Sequence, residues 1–545
     1  MVQLNLNIKI MNMISINKTT SLVSLFLILS LVSCSKEQTG SGAAGVSSEK
    51  IRITGSDANS TTKTTLNGLV TSWIQTTDKV GIYSSQARTA TGGAGSSVVN
   101  AQFTAASSGT GSNFTGTMYW GAANTSHTFY AYYPYASGSP AATAVPVSLP
   151  SAQTQSAANN TDHIGALDFM IATPVTVTSP SNTGTTGGVN LKYNHLFSVL
   201  EFQIKGTGNL NAVSLQSSNT LAFVGGTIDI TQSAPVTGTS YNFATQTGTS
   251  KMVTTMLTAP GALTGTNADT KVYMVINPTA PAGNCVIGLQ INGQWKYLDK
   301  AVPPEGFKRG IKYTVEVNAA DAVAITVTDA DGNSYKTVKI GTQVWMAENL
   351  KTTKYNDGTA IPNLSDNSAW GSATSGAWCD YSNTASNSVT YGKLYNWYAV
   401  DNNTSTKVAS NGGKNICPLG WHVPSDSDWT TLTDYVGYKE TVEIFPDEFD
   451  VFVYGAQYLK EAGTTHWSAT NSETNNSSGF TALPGGYRKY DGWGYENLGN
   501  EGYWWSTSLT YGGYPIYRRM TQSENLVEIG SGLKEFGRSV RCVKD

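Results

Sequence analysis

Between residues 50 and 320, apolar side chains recur at every second position in short runs, and helical periodicity is missing over long stretches. Alternation of that kind marks half-buried strands, because successive strand side chains point to opposite faces. Ser198-Val199-Leu200-Glu201-Phe202-Gln203-Ile204 alternates over its last five residues, and Lys312-Tyr313-Thr314-Val315-Glu316-Val317 does the same. Within Cys285 to Leu298, Asn292-Gly293 between apolar residues signals a type I′ hairpin. Gly is abundant, at 55 residues, among many Ser, Thr and Asn, as in turn-rich all-β proteins. With 13% charged and 10% aromatic residues the chain can build cores, the reverse of a disordered composition. Its 545 residues hold about three or four domains. A net charge of −3 lacks the basic footprint of a nucleic-acid binder.

The composition changes near Asn318 to Ala324. Of 13 Trp, Trp73, Trp120 and Trp295 precede residue 325 and the other ten follow it. Two stacked β-sandwiches, 51–195 and 196–320, fit the first part, and a different fold occupies 325–545. That last region contains helices. Ser425 is placed as an N-cap, with Asp428 three residues on favouring the positive end of the helix dipole. Trp429, Leu432 and Val436 recur at helical spacing, and Gly437 stops the helix. A second short helix is expected from Ala456 to Glu461, with Gly463 beyond it.

At the other end, Lys9 and Lys18 precede an apolar run, Leu22 to Leu31. At about 10 residues the run is too short to span ~30 Å of hydrocarbon and reads as a secretory signal. It ends Leu31-Val32-Ser33-Cys34, which resembles a bacterial lipobox. That resemblance implies removal of 1–33, acylation of Cys34, and a flexible tether over 34–50. The alternative is an ordinary signal peptide with a chance Cys. Met11 or Met13 is an alternative start to Met1.

The region from 50 to 320 resembles the fimbrillin family, pilin-like lipoproteins of Bacteroidetes surface fimbriae. The residues that carry the likeness are Thr62-Lys63-Thr64-Thr65-Leu66-Asn67-Gly68, Trp73 and Asp78-Lys79-Val80-Gly81-Ile82-Tyr83. Phe129 to Tyr135, Asp168-Phe169-Met170, Lys192 to Phe202 and Phe307 to Tyr313 follow in order. The resemblance implies transthyretin-like sandwiches and association with other fimbrillin subunits. It also implies assembly by strand exchange: a protease trims an N-terminal segment, and a partner's strand fills the opened groove. Unpaired sheet edges recruit strands because main-chain donors and acceptors must be satisfied. Lys50, Arg52 and Lys63 are the basic positions where a trypsin-like protease could cut.

Residues 325–545 resemble the Fibrobacter succinogenes major paralogous domain. The likeness is carried by Val338 to Leu350, Tyr391 to Tyr398, Ile416 to Ser425, Gly479 to Arg488, Gly502 to Ser506 and Ser539 to Asp545. It implies an α+β, C-type-lectin-like fold, so the chain as a whole is mainly β. The calcium-binding sugar motifs of lectins and the reactive cysteines of formylglycine-generating enzymes do not occur, so neither activity transfers.

Cys417 and Cys542 are expected to pair in an oxidising compartment, the alternative being a thiol activated by His422. Cys285 and Cys379 are expected to be small buried hydrophobes. The five His show no ligand spacing, and Asp329 and Asp331 lack the acidic ladder of a calcium loop, so they are expected to form a turn. No cofactor or metal is implied. The stretch that remains is aromatic and polar. Tyr490, Asp491, Trp493, Tyr495, Glu496, Asn497, Tyr514 and Arg518 are the candidate ligand-binding residues, suited to a glycan or a protein surface. Trp493, between two Gly, is expected to be exposed. Of Trp504 and Trp505, at least one is expected in the core.

Three functions compete at this point. The first is a fimbrial tip adhesin on the cell surface, assembled by strand exchange and sorted through the outer membrane. The second is an anchored surface lipoprotein that never polymerises and binds glycan or protein. The third, an enzyme, lacks a recognisable catalytic cluster.

Overall fold

The structure, a computed structural model, describes residues 49–57, 72–91, 95–138, 140–180, 188–232, 243–401, 411–445, 448–469 and 472–545. The expectations about the signal, Cys34 and the tether up to residue 48, and about Lys63, fall outside the described residues. The chain is mainly β.

Ten strands come from the first part of the chain: β1 (Arg52–Asp57), β2 (Lys79–Arg88), β3 (Ser97–Ala105), β4 (Gly111–Thr115), β5 (Ser126–Tyr133), β6 (Val145–Leu149), β7 (Ala152–Gln155), β8 (Met170–Ala172), β9 (Val175–Thr178) and β10 (Gly188–His195). Eight of them form one sheet in the order β2-β3-β4-β1-β10-β8-β5-β9. A further pairing of β2 with β5 closes the sheet on itself. Inside lie Ile53, Val80, Ile82, Phe103, Phe129 and Leu191, all fully or almost fully buried.

Seven more strands follow: β11 (Ser198–Gln216), β12 (Ala222–Ile228), β13 (Ala244–Ser250), β14 (Met252–Ile276), β15 (Cys285–Ile291), β16 (Gln294–Lys300) and β17 (Lys312–Asn318). The long strands β11 and β14 pair antiparallel from Ser198↔Ile276 to Gln216↔Met252, with register shifts near Gly206 and Ala212. β15 and β17 share one edge of β11, each along a different half of it. Asn292 and Gly293 join β15 to β16 with φ of 51° and 77°, the left-handed backbone that a type I′ turn requires. The strands β6 and β7 cross over: β6 pairs with β12, and β7 runs parallel to β14. Residues 145–155 are therefore built into the sheets of the chain beyond residue 196.

In the last region the strands Thr326–Thr328, Ser334–Ile340, Gln343–Met346, Val543–Lys544 and Trp421–His422 form one five-stranded sheet. A second has the order Tyr495–Leu498, Gly485–Arg488, Glu501–Leu509, Pro515–Thr521, Glu528–Ser531. A helix spans Asp426–Val436, opened by a capping box: Ser425 Oγ accepts from Asp428 N, and Asp428 Oδ2 accepts from Ser425 N. Gly437 ends it, and a short helix covers Ala456–Leu459. Cys417 and Cys542 are joined by a disulfide across a separation of 125 residues. Cys285 and Cys379 are free and buried. Asp329 closes a turn, its Oδ1 accepting from the N–H groups of Asp331 and Asn333. Asp331 accepts from Thr353 Oγ1 and pairs with Lys354. Both Trp504 and Trp505 are fully buried, because each face of their strand is covered.

Irregular segments here are held by buried cations. Lys460 gives its three donors to the carbonyls of Thr521, Gln522 and Glu524. Arg488 donates to the carbonyls of Leu364 and Ser365 and stacks on Trp370. Such charges are tolerated because each is met by several acceptors.

Candidate functional site

Two places stand out, one at each end of the chain. The first is the seat of β1. The extended segment begins before the strand itself, since Ile51 N donates to Met118 O and Trp120 N donates to Glu49 O. β1 then lies between two partners, parallel to β10 and antiparallel to β4. Its burial alternates: Ile51, Ile53, Gly55 and Asp57 face inward, and Arg52 faces solvent. Burying two isoleucines contributes about 2–3 kcal/mol each. Above Gly55, the rings of Trp73, Phe114 and Tyr193 pack edge to face or tilted, with Trp73 5.0 Å from Phe114 and 5.2 Å from Tyr193. A Cβ on Gly55 would lie 2.8 Å from Phe114 and 2.9 Å from Tyr193, so no larger residue fits.

At the end of β1, Asp57 Oδ2 is 3.2 Å from Nε2 of His195, whose Nδ1 is 2.8 Å from Asp168. Both ring nitrogens face carboxylates, so both act as donors and the ring is a cation. Burial alone would lower the pKa of His195; the charges and hydrogen bonds of Asp168 and Asp57 outweigh it and hold it near 10. A cleft of about 330 Å³ opens beside this group, lined by Ile74, Ile164, Phe197, Val275 and Ile311. Nothing in the sequence pattern reveals the cluster, because Asp57 and His195 are separated by 138 residues.

The second place is one end of the second five-stranded sheet of the last region. Gly485–Arg488 runs parallel to Glu501–Leu509, through Gly486↔Gly502. The turn at 489–494 and the turn at 510–514 therefore leave the sheet at the same end. Tyr490, Trp493, Tyr511 and Tyr514 are exposed there, Trp493 at 70%. Tyr490 rests edge-on against Phe536, 5.4 Å between centroids, which fixes its ring. Asp491 Oδ1 accepts from Trp493 N, shaping the turn that carries the indole.

The sequence of residues 61–334 matches the family described as Fimbrillin-like. The chain belongs to the fimbrillin-like family. Residues 338–544 match the Fibrobacter succinogenes major domain. No curated protein matches the chain. Among solved structures it is similar to a candidate cell adhesion protein from Bacteroides uniformis, at 19% identity and a TM-score of 0.32, over 51% of this chain and 96% of that one. It is also similar to a fimbrial protein from Bacteroides ovatus, at 12% identity and a TM-score of 0.25, over 92% and 99%. A fimbrial assembly protein from Parabacteroides distasonis gives 10% and 0.28, over 53% and 98%.

Within this fimbrillin-like chain, the candidate ligand residues separate into three groups. Tyr490, Asp491, Trp493 and Tyr514 are at the surface. Arg518 is corrected out of the group: it is 1% exposed, and its guanidinium pairs with Asp426 at 2.7 Å. Its strand position turns it inward, where the Asp426 carboxylate and backbone carbonyl meet its guanidinium. The others are only partly exposed and already engaged. Tyr495 Oη donates to Asn383 Oδ1 at 2.9 Å. Glu496 pairs with Lys489 and accepts from Tyr487. Asn497 adopts φ 67° and donates to Glu501 and Tyr503, so it serves the turn. Tyr511, which is not among those candidates, is the most exposed aromatic side chain among the described residues. Among the described residues no group of three His, Cys, Asp or Glu is placed to hold a metal ion.

Proposed function

We propose that the chain is a fimbrial subunit whose β1 is replaced by a strand from a neighbouring subunit. The observation that carries this is the position of β1, inserted between β4 and β10. Its loss would leave two unpaired edges and a groove lined by Phe114, Val189, Leu191 and Tyr193. Such a groove takes up another strand because its main-chain groups and apolar floor need cover. The three basic processing candidates are then unequal. Lys50 pairs with Tyr119 and Arg52 lies within β1, so a cut at either leaves most of β1 attached. Lys63 follows β1 in the sequence, so a cut there frees it.

The chain is a tip subunit in this reading. The segment after β17 does not extend away as a free strand. It folds into 325–545, where Cys542 is bonded to Cys417 and Val543 pairs with Trp345 and His422. The subunit thus accepts a strand and presents Tyr490, Trp493, Tyr511 and Tyr514 to a glycan or protein on another surface. Acylated Cys34 carries it to the outer membrane, and the fimbrium is its final location.

The test is to shear filaments from the source cells and determine this protein's N-terminus and abundance by mass spectrometry. A new N-terminus after Lys63, at low abundance relative to other pilins, is expected. Full-length protein with acylated Cys34, found only in the membrane fraction, would leave the anchored surface binder instead.

A further inference from the structure

We infer that His127 is an acid-sensitive latch on the lead-in to β1: a proton on its ring releases residues 49–51 from the stretch 118–121. The latch acts whether or not β1 is exchanged for a partner's strand. Both ring nitrogens are committed. Nε2 accepts from Gly121 N at 3.0 Å, so it carries no proton, and Nδ1–H donates to Thr125 O at 3.0 Å. This is the neutral imidazole, used once as acceptor and once as donor. The ring is fully buried, edge-on to Trp120 at 5.1 Å and stacked with Phe129 at 6.5 Å.

What the ring holds is the end of a short ladder. Tyr119 exchanges two hydrogen bonds with Arg88 at the end of β2, N to O at 2.9 Å in each direction. On the other side, Ile51 N donates to Met118 O and Trp120 N donates to Glu49 O. Gly121 follows, and His127 fixes it. A Cβ there would lie 2.3 Å from Gln86 O, so the backbone already presses against β2 and cannot yield inward. The lead-in therefore keeps a firm seat only while Gly121 N has its acceptor.

A proton on Nε2 sets N–H against N–H. Gly121 loses its acceptor, and a cation appears among buried apolar rings. Burial, the main cause, holds the pKa of His127 below 6.5 against the Thr125 carbonyl, and the positive charge of Arg88 lowers it further. Tyr119 stands on the ladder, Glu49 and Lys50 stand on the lead-in, and β9 sets Val177 opposite the His127 backbone. Because the folded pKa lies below the unfolded one, the stability that His127 contributes is complete above about pH 6.5 and falls as the pH drops through the folded value. The strand β1 proper is held separately, between β4 and β10. Acid thus opens the lead-in first and leaves β1 in place.

The test is hydrogen exchange by mass spectrometry on the full chain from about pH 7 to about pH 4.5, corrected for intrinsic exchange, with β10 as internal reference. Wild-type protein is expected to lose protection at 49–51 and 118–121 by about ten-fold or more relative to β10, with a midpoint below pH 6.5. His127→Gln, whose amide can accept from Gly121 and does not titrate, is expected to keep constant protection over that range. Wild-type protection that stays level with β10 throughout overturns the inference. So does an equal acid loss in His127→Gln, which would give the role to Glu49. If His127→Gln does not fold, Arg88→Gln replaces it: removing the neighbouring positive charge is expected to move the midpoint upward, and an unmoved midpoint overturns the inference.

Discussion

The side-chain amide of Gln216 bonds to the backbone on both sides of Ile340: Nε2 donates to Lys339 O at 2.7 Å, and Oε1 accepts from Gly341 N at 3.0 Å. Gln216 ends β11, whereas Gly341 lies in the turn between the Ser334–Ile340 and Gln343–Met346 strands of the last region. The two parts also share a core, in which Ala212, Met252, Trp295 and Tyr297 pack with Val338, Ile340, Trp345 and Trp429. Tyr297 Oη accepts from Lys339 N, and Thr254 Oγ1 donates to Ser477 O. The exposed aromatic sheet end mounted this way is fixed to the fimbrillin-like body rather than tethered to it.

Gln216→Ala should therefore loosen the mounting. It leaves two part-buried backbone groups without partners, at a cost of about 1–3 kcal/mol. Hydrogen exchange is expected to accelerate at 334–346 and around 210–216, with the closed sheet of β1–β10 unaffected. Unchanged protection at both segments would refute the role given to Gln216.

The Cys417–Cys542 bond closes a long loop, so its loss should destabilise 325–545 by roughly 4–5 kcal/mol in the chain-entropy account. Reduced protein, or Cys417→Ala with Cys542→Ala, should melt this region first. Cys285 and Cys379 should react slowly with a thiol reagent in the native state, since burial pushes each thiol up to about 11.

His195 predicts a pH dependence. Its folded pKa is raised from 6.5 to near 10, so the stability it contributes is complete below about pH 6.5 and is lost as pH rises through 10. Wild-type protein should exceed His195→Gln in melting temperature at pH 6, and the gap should shrink towards pH 10. Lys460, lowered by burial to about 8, titrates in the same window with the opposite sign, but it is common to both proteins and cancels in the difference. A gap that stays constant with pH would mean that the ring is neutral.

On the exposed sheet end, Trp493→Ala and Tyr514→Ala should change stability by less than about 0.5 kcal/mol, because neither is packed in a core. Retention on a glycan array or on host-surface protein should drop for both. Arg518→Ala should do the reverse, lowering the melting temperature because it empties the space of a buried side chain and removes its pair with the part-exposed Asp426.

The sequence alone made the strand-rich first part legible, through period-two alternation and the Asn292-Gly293 turn, whose signals are local. It also placed the helix at Asp426–Val436, because a cap, a period and a stop all lie within about a dozen residues. The order of short family-like segments identified both halves of the chain. What it did not contain is the third dimension. Alternation cannot say that β6 and β7 leave their own sheet for the next one, since pairing partners are chosen by long-range burial. Nor could composition tell Arg518 from Tyr490: both sit in one aromatic, polar stretch, and only the sheet turns one inward and the other outward. The meeting of Asp57, Asp168 and His195 depends on the parallel pairing of β1 with β10. No local pattern encodes it, because a charge cluster assembled across a sheet is a property of register and closure, which tertiary packing alone decides.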